Sequence, residues 1–113
     1  MSQFPTRTTE SGVVVVRLDG RLNMVAAPAL RKELHALVEA GSARLVVDLS
    51  GTEFIDSSGL VALISGLKVA RQAGGDLRIA SPTRQVTTVL ELTNLNRVLR
   101  AYDSADGAFD DEA

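Results

Sequence analysis

The 113-residue sequence contains no cysteine and only one histidine, His35. The lack of cysteine excludes disulfides, thiolate metal ligands and thiol nucleophiles, and it fits a reducing compartment such as the cytoplasm. Carboxylates are then the main candidate metal ligands, but Asp48, Glu53 and Asp56 are not spaced like a calcium-binding loop. No metal site is predicted.

The motifs of common catalytic and nucleotide-binding sites are also missing. A serine hydrolase needs a positioned base, but His35 is far along the chain from Ser57 and Ser58, and no G-x-S-x-G elbow surrounds these serines. We interpret His35 as a solvated helix residue. The phosphate-binding patterns G-x-x-x-x-G-K-[ST] and G-x-G-x-x-G do not occur, so we expect no nucleotide cofactor and no enzymatic activity.

Neither the charge nor the apolar runs indicate nucleic acid or a membrane. The 12 basic and 14 acidic residues are scattered and give a net charge of −2, so no cationic face is available for a phosphate backbone. The longest apolar stretches fall well below the ~18 residues of a membrane span, and the first ten residues lack a signal core. We expect a cytoplasmic protein that binds neither nucleic acid nor a membrane.

What remains is the composition of an ordinary globular domain, with 45% hydrophobic and 23% charged residues. The length suits one domain over residues 1–113, with a core at about 4–110 and a loose acidic tail at 110–113. Strands are predicted at residues 13–18, 45–49, 77–80 and 97–101, and a weaker extended segment at 3–8 is expected to pair with the first. Helices are predicted at residues 27–40, 60–70, 81–92 and 104–109.

This alternation of strands and helices predicts an α/β fold with a mostly parallel sheet and an antiparallel strand at one edge. The sequence Asp-Ser-Ser-Gly at residues 56–59 falls between a buried strand and an amphipathic helix. In such sheets the carboxyl ends of the strands form the usual functional edge. One interpretation is that Asp56 or Ser57 only caps the helix; the other is that the loop has a function.

The segments at residues 20–23, 45–50, 54–60 and 73–75 resemble those of a STAS domain, and more narrowly those of the bacterial anti-sigma factor antagonists. The resemblance extends over roughly residues 4–110, in the order and spacing of that family. It implies a single STAS-like α/β domain with a mixed four- to five-stranded sheet and about four helices. The antiparallel edge strand is then the N-terminal one.

The resemblance also implies a partner-switching cycle. The unphosphorylated antagonist binds an anti-sigma factor and releases a sigma factor, and a serine kinase, commonly the anti-sigma factor itself, ends the complex by phosphorylation. A serine phosphatase restores the free serine. The acceptor maps onto Ser57, with Ser58 as the alternative. The predicted partner-binding residues are Asn23, Met24, Val25, Asp56, Ser57, Ser58, Gly59 and Leu60.

Several points stay open at this stage. Met24 and Val25 either face the partner or cover the local core. Asn23 stands where the family commonly has a carboxylate, and Asn94 where it commonly has a glycine; asparagine tolerates the left-handed backbone that glycine adopts. As an alternative function, the chain is a constitutive scaffold or accessory subunit of a sensory or transport complex, in which Asp56 is only a helix cap.

Overall fold

The computed structural model describes residues 4–109 and shows an α/β fold of seven strands and three helices within that range. The strands are β1 (Thr6–Thr8), β2 (Val14–Arg17), β3 (Gly20–Leu22), β4 (Arg44–Asp48), β5 (Thr52–Ile55), β6 (Asp76–Ala80) and β7 (Ala101–Tyr102). The helices are α1 (Ala27–Glu39), α2 (Ser57–Gln72) and α3 (Arg84–Leu92). The predicted acidic tail at residues 110–113 lies outside the described residues.

Five strands form the main sheet in the order β1-β2-β4-β6-β7. Only β1 is antiparallel to its neighbour, at one edge of the sheet, and the other pairs are parallel. The predicted mixed sheet with an antiparallel N-terminal edge strand is therefore confirmed. The central strand β4 has its apolar residues 45–47 fully buried, as its continuous apolar run predicts for a strand covered on both faces.

The two faces of the sheet are covered differently. One face packs against all three helices in the main apolar core. The other face is covered by the segment at residues 105–109. Arg78 holds this segment in place through two contacts. Arg78 is 5% exposed, its guanidinium lies 4.1 Å from the ring centroid of Phe109, and it donates a 2.9 Å hydrogen bond to the carbonyl of Ala108. Asp76 pairs with the same guanidinium at 3.1 Å.

The sequence analysis missed a second, two-stranded sheet, in which β3 and β5 pair in parallel. No strand was predicted at either segment, because strands of three and four residues show too little alternation to be recognised. This small sheet determines where α2 begins, since β5 ends at Ile55 and the amide of Asp56 donates to the carbonyl of Leu22 at 3.2 Å.

Two elements predicted in the C-terminal third, the last helix and the last strand, differ in the structure. The predicted helix from Ser104 to Phe109 is wrong: this segment forms turns, and the Ser104 hydroxyl accepts only the amide of Gly107, at 3.2 Å. The described residues therefore contain three α-helices instead of about four. The last strand covers Ala101–Tyr102 instead of residues 97–101, and Arg97 belongs to a 3₁₀ turn at Leu95–Arg97.

The start of α3 was also misplaced. This helix was predicted from residue 81, but its N-cap is Thr83, and Ser81 has a left-handed φ of +51°, which a right-handed helix cannot include. By contrast, Asn94 has a φ of +59°, and this confirms the expectation that it occupies a position where glycine is favoured.

Thr52 offers a test of how the small sheet is joined to the main one. It is fully buried, and its hydroxyl donates a 2.8 Å hydrogen bond to the carbonyl of Leu18. Thr52→Val keeps the shape but leaves that carbonyl without its donor, so we expect the free energy of unfolding to fall by about 1–2 kcal/mol in urea denaturation. Thr88→Val, at an exposed site on α3, is the control and should change it by less than about 0.5 kcal/mol. Equal effects would contradict this role.

Candidate functional site

The candidate site lies where β5 passes into α2, at the carboxyl end of the parallel strands. Asp56 is the N-cap of α2, and its Oδ1 accepts a 3.1 Å hydrogen bond from the amide of Gly59. The capping role predicted for Asp56 or Ser57 thus belongs to Asp56. Ser57 is the first residue of the helix, and its hydroxyl is not used as the cap.

The two serines differ in accessibility. Ser57 is an exposed residue, whereas Ser58 is only partly exposed. For Gly59 and Leu60 the prediction of a partner contact is corrected, because both residues are buried. A Cβ atom on Gly59 would lie 2.6 Å from the carbonyl oxygen of Leu22, and Leu60 is 6% exposed and belongs to the core.

An open groove of about 410 Å³ begins at the two serines and runs between α1 and α2. Its walls are mostly apolar. The residues that line it are Met24, Ala27, Pro28, Arg31, Ser57, Ser58, Val61 and Ala62. The groove brings together residues from two helices that are about 30 positions apart in the sequence.

Three large apolar side chains at this edge are exposed: Met24 by 72%, Val25 by 82% and Val61 by 64%. Met24 and Val25 therefore do not cover the local core, and that interpretation is wrong. The sequence analysis did not name Val61. The signal was available, because Val61 is an apolar residue that falls off the helical stripe formed by Leu60, Leu63, Ile64 and Leu67.

Asn23 has a local structural role. Its Oδ1 accepts hydrogen bonds from the amides of Val25, at 3.0 Å, and Ala26, at 3.3 Å. These bonds fold the turn that precedes α1 and present the neighbouring Met24 to solvent. An amide oxygen performs this role as a carboxylate does, so the asparagine preserves the turn while leaving the edge without one negative charge.

His35 is not the solvated residue that we expected. It is partly buried, and its Nε2 lies 2.8 Å from the Oγ of Ser65 on α2. The Nε of Arg31 donates to the same oxygen at 3.1 Å. These contacts join α1 to α2 and do not involve the loop of Ser57.

Two further findings limit the chemistry of residues 4–109. Within this range no cluster of three or more histidine, aspartate or glutamate side chains is placed to hold a metal ion. None of the helices in the same range combines the length and apolarity needed to cross a membrane. The site itself consists of an exposed serine and an apolar groove.

The site combines an exposed serine at a helix start with an open groove flanked by exposed apolar side chains, and contiguous exposed apolar surface marks an interaction site. The comparison with known proteins identifies the family. The sequence model of the STAS domain matches residues 4–108, so the chain belongs to the STAS domain family, and within it to the anti-sigma factor antagonists. Members of this family are regulatory binding proteins.

Individual relatives agree with this placement. The crystal structure of a candidate anti-sigma factor antagonist from Thermotoga maritima has 30% sequence identity and a TM-score of 0.88, and the match covers 96% of this chain and 92% of that chain. The anti-sigma-B factor antagonist of Bacillus subtilis is 26% identical over 94 residues, 83% of this chain and 85% of the relative.

The same fold also occurs elsewhere. A sulfate transporter family protein from Wolinella succinogenes has a TM-score of 0.76, with coverage of 92% of this chain and 86% of that chain. Its sequence identity is only 18%, so this likeness concerns the fold alone.

The cap of α2 can be tested directly. Asp56→Ala removes the acceptor of the Gly59 amide, so we expect the free energy of unfolding to fall by about 1 kcal/mol in urea denaturation. Asp56→Asn keeps an acceptor and should recover most of this loss. Glu53→Ala removes the same charge from an exposed strand position and is the control. If Asp56→Ala were no worse than Glu53→Ala, the cap would not contribute to stability.

Proposed function

We propose that this protein is an anti-sigma factor antagonist whose binding is switched off by phosphorylation of Ser57. The observation that carries the proposal is that Ser57 is an exposed residue that lines an apolar groove. Ser58, the alternative acceptor, is less accessible, which favours Ser57. Family membership supports the same reading, since the relatives bear the name of anti-sigma factor antagonists.

The proposed partner surface consists of the exposed side chains of Met24, Val25 and Val61 around the groove. Apolar side chains that are exposed together at one edge are typical of a protein-binding patch, and a few such side chains usually supply most of the binding energy. Asn23 and Asp56 shape this surface through their capping bonds. Gly59 and Leu60 are buried beneath this surface and fix the position of the first turn of α2.

Phosphorylation would change this surface without unfolding the domain. It adds a charge of about −1.5 to −2 at the rim of the groove, and burying that dianion against a partner costs several kcal/mol unless a cation of the partner meets it. Each 1.4 kcal/mol is about a tenfold loss of affinity. The fold is preserved because Ser57 is the first residue of α2, where the amino end of a helix favours a negative group.

In the proposed cycle the partner is an anti-sigma factor. The same anti-sigma factor, or a related one, acts as a serine kinase and transfers the γ-phosphoryl group of ATP to the Oγ of Ser57. ADP and a proton are released. A serine phosphatase then hydrolyses the phosphoserine to serine and inorganic phosphate. The dependence on ATP places the cycle in the cytoplasm, and residues 1–113 are taken to act as one domain.

A second candidate function is a constitutive scaffold or accessory subunit of a sensory or transport complex. The fold shared with a sulfate transporter family protein is the observation that favours it. In that case Asp56 serves only as the helix cap and Ser57 is not modified. Stable co-purification with transporter or sensor subunits that is unaffected by Ser57→Asp would support this function.

The switch is tested by incubating the protein with each candidate kinase of its host and ATP, then locating the phosphate by mass spectrometry. We expect the phosphate on Ser57. In pull-downs with the anti-sigma factor, Ser57→Asp should weaken binding at least about tenfold, whereas Ser57→Ala should retain it. Ser11→Asp adds the same charge at the opposite edge of the sheet and should have little effect. Absence of phosphate from both Ser57 and Ser58, or equal binding by all variants, would contradict the proposal.

The apolar surface gives an independent test. Val61→Ser removes an exposed apolar contact beside the groove, so we expect the dissociation constant for the anti-sigma factor to rise about tenfold in titration calorimetry. Leu92→Ser is the matched control, since Leu92 is 79% exposed but lies on α3, outside the groove. It should change the dissociation constant less than about twofold. Equal losses would show that binding does not use the groove.

A further inference from the structure

The groove of Ser57 carries a cation on its α1 wall. Arg31 is the one charged side chain among the described residues that line the groove. It is an exposed residue of α1, and its Nε donates a 3.1 Å hydrogen bond to the Oγ of Ser65 on α2. The Nε2 of His35 lies 2.8 Å from the same oxygen. The guanidinium is therefore held at its Nε against α2.

This contact places the cation along the groove from Ser57 and not beside it. Ser65 follows Ser57 by about two turns of α2, which is about 12 Å at the rise of an α-helix. Val61 and Ala62, which come between the two serines on α2, also line the groove. The groove thus has the acceptor serine at one end, a cation at the other and apolar walls between them.

The two terminal nitrogens of Arg31 are its unused donors. A guanidinium has five N–H groups, and the bond to Ser65 uses the one on Nε. Within residues 4–109, Arg31 forms no ion pair with a carboxylate, and that bond is its one hydrogen bond. The pair of N–H groups at the end of a guanidinium matches the two oxygens of a carboxylate.

The surroundings of Arg31 favour a carboxylate from a protein over a nucleic acid. Among the described lining residues none is acidic, and those other than Arg31 are apolar or are the two serines. The carboxylate of Asp56 is engaged by the amide of Gly59. A phosphate backbone requires several cations, whereas a single arginine beside apolar walls complements one carboxylate that arrives among apolar side chains.

We infer that Arg31 pairs with a carboxylate of the anti-sigma factor, which presents an aspartate or glutamate beside the apolar side chains that fill the groove. This inference rests on the proposed function and names the chemistry of its partner. The apolar contacts at Met24 and Val61 supply most of the binding energy, and the ion pair determines which partner fits and in which direction it lies along the groove.

The experiment measures the dissociation constant between the unphosphorylated full chain and the anti-sigma factor by titration calorimetry. Arg31→Gln leaves the carboxylate of the partner unpaired, so we expect the dissociation constant to rise about tenfold. Arg31→Glu brings like charges together and should raise it about a hundredfold. Arg31→Lys keeps the charge without the fork, so its loss should be only about threefold.

Lys32→Gln is the matched control, because Lys32 is the next exposed residue of α1 and does not line the groove. It should change the dissociation constant less than about twofold, since exposed charges are screened by salt. Reversal of one carboxylate of the partner to lysine should restore binding by Arg31→Glu, and a scan of the partner's acidic residues identifies it.

Salt separates an ion pair from a purely structural role of Arg31 in holding Ser65. Screening weakens the ion pair of the unaltered complex, so the loss caused by Arg31→Gln should shrink when the salt concentration is raised from about 0.05 M to about 0.5 M. A role confined to the bond with Ser65 would give the same loss at both concentrations.

The outcomes separate this inference from the proposed function. Equal dissociation constants for Arg31→Gln and Lys32→Gln, or a loss that does not change with salt, would overturn the inference. If Ser57→Asp still weakened binding in that case, the proposed function would stand without it. A loss specific to Arg31 together with full binding by Ser57→Asp would support the ion pair and overturn the switch. If no anti-sigma factor of the host bound the unaltered chain, both would fall.

Discussion

The site depends on how closely the start of α2 lies against β3. The amide of Asp56 donates to the carbonyl of Leu22, and the absence of a side chain on Gly59 lets the helix approach that same carbonyl. A Cβ there would lie 2.6 Å from the oxygen, too close for any larger residue without movement of the backbone. This contact sets the rotation of α2, which turns Leu60 into the core and leaves Ser57 and Val61 facing outwards.

This arrangement separates the residues that hold the fold from those that form the surface. Asp56 and Asn23 have side chains occupied by backbone amides, so they order the two turns that flank the groove. Ser57 and Val61 do not order a turn in this way. Changes at these exposed positions are therefore expected to alter binding far more than the free energy of unfolding, as a switch of the proposed kind requires.

The long elements of the fold were predictable because each carries a strong local pattern. The apolar run of β4 indicated a strand buried on both faces, and the stripe that includes Leu63 and Leu67 indicated α2. The small sheet was not predictable from such patterns, since β3 and β5 are too short to show a period. The helix predicted at residues 104–109 does not form, because this segment is held by Arg78 and by packing on the sheet, which no local pattern encodes.

The candidate site was predictable only in part, for a related reason. The loop at residues 56–59 is contiguous in sequence, so its position between a strand and a helix could be inferred. The groove is not contiguous, because it requires the parallel packing of α1 on α2. That packing brings Arg31 to Ser65, 34 residues away. Through such a distant contact a cation comes to line the groove, so the groove has a charge distribution that the tetrapeptide alone cannot specify.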